Sequence, residues 1–110
     1  MIELNLIKDS FENVIKKELY KDFFMHKTGH WLGLDVHDVG EYENVCFQPG
    51  MVITVEPGIY IDSSNKNVSE KWRGIGVRIE DDVLITDKGN EVITLDLAKK
   101  RNEVESLCNK

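Results

Sequence analysis

At 110 residues, with 41% hydrophobic and 31% charged side chains, the chain has room for one small soluble domain with a modest core. Its formal net charge of −6 argues against docking on nucleic-acid phosphates or an anionic membrane, and no apolar run approaches the roughly 20 residues needed to span a bilayer. The N-terminus lacks the basic and apolar regions of a signal peptide, and Cys46 and Cys108 lack CxxC spacing, so reduced thiols in cytoplasm are expected.

Residues 2–7 are apolar-rich and begin without a cap, like the tail of an element entered partway. Asp9 or Ser10 can cap a helix running to about residue 22, and Asp9 with Glu12 fits capping-box spacing. Phe11, Val14, Ile15, Leu19 and Phe23 form its apolar stripe, with Lys16, Lys17 and Lys21 on a solvated face. A turn carrying Gly29 and Gly33 leads into LGLDVHDV, whose alternation predicts a half-buried strand over 32–38 with His37 on the polar side. DVGEYENVCFQPG reads as a loop closed by Pro49-Gly50, and MVITVE as a strand over 51–56 that Pro57 stops. Residues 62–72 form a polar surface loop. GIGVRIEDDVLIT predicts a strand over 76–86, Asp87 to Asn90 a turn, 91–95 a short return strand, and Leu97 to Leu107 a helix.

Histidine is sparse and crowded: the only three are His26, His30 and His37. Any one alone is most simply structural, but three beside glycines and acids point towards metal or catalysis. HKTGH is not the helical zinc signature, because Lys27 stands where that motif has its glutamate. Glu56 and Glu80 lie in otherwise apolar strand patterns, where an ionised carboxylate is costly unless paired or metal-bound. Arg78, two residues before Glu80, would share its strand face, so an Arg–Glu pair at a sheet edge is the bland alternative. The sharper reading gathers His30, Glu56 and Glu80 around one divalent ion, a donor set that suits manganese, zinc, cobalt or iron.

HKTGHWLGLDVHDVG, PGMVITVEPGIYI and WRGIGVRIEDDVLIT, in that order, resemble the C-terminal half of a pita-bread metallopeptidase. The resemblance spans about residues 20 to 95 and is strongest to Xaa-Pro aminopeptidase (aminopeptidase P), with prolidase a near relative. It implies an α+β fold with a curved, mainly antiparallel sheet and packed helices. It also implies a two-ion hydrolase, most often manganese-dependent, that releases the N-terminal residue preceding proline in a peptide substrate. By motif position His30, Glu56 and Glu80 would be metal ligands, Glu80 bridging the ions and Glu56 also serving as general base. His37 would stabilise the substrate carbonyl, His26 would shape the substrate pocket, and Arg78 would orient the ligand carboxylates. Trp31, Tyr60 and Trp72 offer apolar surface for a proline ring, although a core or loop-anchoring role is the simpler account of each.

The family site also draws two aspartates and a further histidine from the other half of the fold. Asp9 and Asp22, the aspartates before His26, belong to the helix pattern and lack the strand context of those ligands. Lys27 also replaces a glycine often found after the first histidine. The expectation is therefore a single partial catalytic domain over residues 1–110, nearly inactive alone, needing the missing N-terminal half as partner and exposing apolar surface where that half would sit. The oligomeric state, including a homo-oligomer, stays open. A prolidase fragment and an inactive pita-bread scaffold are the alternatives.

Overall fold

Short apolar runs separated by turn residues give this chain small elements. The computed structural model describes residues 1–109, which divide into two compact units, residues 1–27 with 57–78 and residues 28–56 with 79–109. Pro57 ends the first run of the second unit where the sequence pattern placed a strand end.

In the first unit, helix α1 (Phe11–Lys16) starts at Ser10, whose hydroxyl accepts the Asn13 N–H. The expected Asp9–Glu12 capping box is replaced by this cap, with Asp9 accepting instead from the Ser10 N–H and the Asn13 side chain. The helix is shorter than expected because Glu18 takes a left-handed backbone conformation, φ 53°, and a 3-10 turn, Leu19–Asp22, follows. The break cuts the apolar stripe. Val14 and Phe23 are buried, whereas Phe11 and Ile15 are exposed. Leu6 and Ile7 complete the core with Ile61 and Val68, so the apolar N-terminus is packed as turns rather than as a helix or strand. Val68 lies within the polar 62–72 segment, which anchors itself through this residue and Trp72. Strands β2 (Gly58–Tyr60) and β3 (Gly76–Arg78) pair antiparallel, with Gly58 opposite Arg78 and Tyr60 opposite Gly76.

In the second unit, β1 (Val52–Val55), β4 (Asp81–Thr86) and β5 (Gly89–Val92) form an antiparallel sheet in the order β1-β4-β5. Ile53 faces Val83, and Val83 faces Val92 across the next ladder. The hairpin turn takes only Asp87 and Lys88 rather than Asp87 to Asn90, so the return strand runs over 89–92 instead of 91–95, and helix α2 (Arg101–Cys108) starts four residues later than the expected Leu97.

Two expected strands are corrected. The 76–86 run is not one strand: it breaks at Ile79-Glu80, and its parts pair in separate sheets, so the two-residue spacing does not place Arg78 and Glu80 on one strand face. The 32–38 strand does not form. After a bridge from Trp31 to Ile53, the chain folds back on itself. The Asp38 N–H donates to the Trp31 carbonyl at 3.0 Å, and the Asp38 carboxylate accepts the Leu34 N–H at 3.0 Å. These local bonds satisfy backbone groups that a strand would have offered to a neighbour. Leu34, Val36 and Val39 are left exposed despite their apolar alternation.

Candidate metal centre

The site in the second unit is built on a short antiparallel ladder. The N–H groups of Leu32, Thr54 and Glu56 donate to the carbonyls of Val52, His30 and Thr28 at 3.1, 2.9 and 2.7 Å. Gly29 permits this approach, since a Cβ there would lie 2.0 Å from the Thr54 carbonyl oxygen. The sequence read Gly29 as a turn residue; its role is to let two backbones close. Alternation along VITVE puts Thr54 and Glu56 on one face, and both are buried.

Thr54 joins the pieces. Its Oγ1 accepts the His30 backbone N–H at 3.0 Å and donates to Glu56 Oε1 at 3.2 Å. Sequence reasoning passed over Thr54, although its i, i+2 relation to Glu56 was the available signal. His30 Nδ1 lies 2.9 Å from the Trp31 carbonyl, a pure acceptor, so the hydrogen resides on Nδ1. In the neutral ring Nε2 then carries a lone pair, and it stands 3.3 Å from Glu56 Oε1. Two acceptors at that separation repel unless a proton or a cation lies between them. Glu80 adds a third donor: one ligand atom from each of His30, Glu56 and Glu80 lies within 4.8 Å of the other two. An imidazole fixed by a carbonyl, with two carboxylates, fits a divalent transition-metal ion.

His37 reaches the same place from the turn rather than from a strand. Its ring meets that of His30 edge-on, with centroids 4.5 Å apart and planes at 74°. On the opposite face of the ladder, Ile53 and Val55 join Trp31, Tyr42, Val45 and Phe47 around an apolar recess of about 270 Å3.

His26 and Arg78 come together in the first unit, on Tyr60. His26 Nε2 is 2.8 Å from the Tyr60 hydroxyl oxygen, which also accepts Arg78 Nε–H at 2.7 Å. Phe24 packs edge-on against His26. Tyr60, expected only as apolar surface, takes part through its hydroxyl.

An α+β chain with two antiparallel sheets and a cluster of imidazole and carboxylate donors defines a candidate metallohydrolase. Residues 2–87 match metallopeptidase family M24, and the chain belongs to that family. It is 46% identical to the Xaa-Pro aminopeptidase of Haemophilus influenzae over 99% of its own length and 26% of that protein's. Its structure is similar to Pseudomonas aeruginosa aminopeptidase PepP, with a TM-score of 0.92 and 51% identity over 98% of this chain and 25% of that one. It is also similar to Escherichia coli aminopeptidase P with the inhibitor Pro-Leu, with a TM-score of 0.90 and 48% identity over 96% of this chain and 25% of that one. The fold is thus part of the pita-bread architecture, and the chain spans about a quarter of the length of the relatives it matches.

Proposed function

We propose that this chain supplies part of the active centre of a metal-dependent aminopeptidase that releases the N-terminal residue preceding proline. The convergence of His30, Glu56 and Glu80 on one point carries the reading. His30, Glu56 and Glu80 would hold the metal, with manganese favoured, and the bound metal would acidify a water and polarise the scissile carbonyl. Glu56, whose carboxylate is held by the Thr54 hydroxyl, would accept a proton as general base. His37, beside the ligand His30, donates a hydrogen bond to the carbonyl oxygen as negative charge develops on it. His26 serves the substrate side and Arg78 the orienting role that their motif positions imply. Peptides with proline second are the substrate class. The free, exposed thiols of Cys46 and Cys108 suit a reducing, cytoplasmic setting.

Three donors from these residues under-coordinate a two-ion centre, so the 110-residue chain should bind manganese weakly and show little turnover on an X-Pro-peptide. Mixing it with a separately expressed N-terminal segment of an aminopeptidase P should restore manganese-dependent cleavage, and Glu80→Ala should abolish both manganese binding and that cleavage. Manganese binding indifferent to Glu80→Ala, or strong cleavage by the chain alone that Glu80→Ala removes, would overturn the reading.

A further inference from the structure

The hydrogen bonds around Tyr60 have only one consistent direction for a neutral His26. His26 Nδ1 lies 2.7 Å from the Lys27 carbonyl oxygen, which can only accept, so Nδ1 carries a hydrogen. With Nδ1 protonated, Nε2 of the neutral ring is an acceptor, and the group facing it at 2.8 Å is the Tyr60 hydroxyl. Tyr60 donates there while its oxygen accepts from Arg78 Nε–H at 2.7 Å.

The backbone is shaped for this hydroxyl. Tyr60 and Gly58 share a face of β2, and Gly58 pairs with Arg78. The Tyr60 ring lies back across Gly58 towards Arg78: a Cβ on residue 58 would stand 2.5 Å from the hydroxyl oxygen and 2.7 Å from Cζ. Gly76, opposite Tyr60, leaves the ring similar room, with its Cβ position 3.3 Å from Cδ1. The Tyr60 N–H donates to the Phe23 carbonyl at 2.8 Å, tying the strand to the segment that leads to His26. One glycine, one cation and one imidazole thus converge on a single phenolic oxygen, and a second glycine leaves room for its ring.

We infer that Tyr60 is a positioning residue: held by Arg78, its hydroxyl donates to His26 Nε2 and fixes the imidazole as the neutral Nδ1–H tautomer. This deepens the proposed function, resting on it for the substrate-side role of His26. An imidazole so fixed has both ring nitrogens engaged. It presents a carbon edge and an uncharged ring, a surface suited to an amide nitrogen that has no hydrogen to donate.

Imidazole 15N shifts of the histidine-labelled 110-residue chain read this directly. His26 should show a protonated, pyrrole-type Nδ1 and a hydrogen-bonded, pyridine-type Nε2. Tyr60→Phe should move Nε2 towards the shift of a nitrogen that accepts no hydrogen bond. Gly58→Ala should do the same while keeping the hydroxyl, because the added methyl displaces it. His30, whose Nδ1 is set by the Trp31 carbonyl, should not move in either variant and reports that the fold survives. A merely structural role would lower the unfolding midpoint without moving the His26 Nε2 resonance. A wild-type Nε2 that carries the proton, or an Nε2 unmoved in Tyr60→Phe, overturns the inference. In the complemented enzyme, Tyr60→Phe should raise KM several-fold with kcat within about twofold. An unchanged KM would overturn the link to substrate. The NMR readout needs no activity, so its failure and that of the proposed function are separable.

Discussion

Thr54→Val tests whether the centre is held by its hydroxyl or by the ladder alone. Valine nearly matches threonine in volume, so no cavity forms and the loss is purely polar. Thr54 is 2% exposed, so water cannot replace what is lost. The His30 N–H loses its acceptor at 3.0 Å, and Glu56 Oε1 loses its donor at 3.2 Å. A buried donor left unsatisfied costs about 1–3 kcal/mol, and a hydrogen bond to a charged group contributes about 1.5–3 kcal/mol. Both changes fall within one network and will not add fully, so about 2–4 kcal/mol of stability should disappear, measurable as a lower urea midpoint at unchanged slope. Manganese affinity should fall about 10- to 100-fold, the usual cost of removing a group that orients a ligand. Calorimetric titration reads that loss, and Thr54→Ser should recover most of it. If Thr54→Val stays within about 0.5 kcal/mol of the parent and binds manganese equally well, Thr54 does not organise the centre.

Gly29→Ala should be costly although it alters no ligand: the added methyl would meet the Thr54 backbone at 2.0 Å, and neither strand can yield without breaking the ladder. Urea unfolding should show a loss of about 1–3 kcal/mol with weakened manganese binding, and parent-like behaviour would show that the close approach is not required. A pH series on Asp81→Asn addresses the start of the central strand, β4. The Lys99 ammonium, hydrogen-bonded to Asp81 with help from the Thr94 hydroxyl, holds this carboxyl below its ordinary 3.8. A carboxyl depressed on folding stabilises above its unfolded value and loses that contribution as pH falls through the folded one. The parent should therefore exceed Asp81→Asn in stability at about pH 6, and the gap should close at about pH 3 and below. A gap independent of pH would refute the ionic account.

The sequence by itself marked out the candidate donor residues of this chain. Glu56, a carboxylate in an apolar run that the fold buries, and histidines crowded beside glycines marked out candidate metal donors, because burying such a group without a partner is costly; Glu80, read from the same pattern, joins the cluster from an exposed position at the break before β4. The sequence also determined β1 and the turn after β4, where alternation and turn residues act over a few neighbouring positions. It did not determine where 76–86 breaks, since alternation records which face is apolar and not which strand will pair with it. LGLDVHDV alternates as well as any strand, yet the Asp38 carboxylate and the Trp31 carbonyl satisfy its backbone locally and no ladder is needed. The bridging hydroxyls of Thr54 and Tyr60 escaped the sequence for the same reason. A hydroxyl becomes a bridge only through its neighbours: His30 lies 24 positions from Thr54, and His26 lies 34 from Tyr60. Only the tertiary structure brings such distant groups to hydrogen-bonding distance, because that contact depends on long-range backbone pairing that no local pattern encodes.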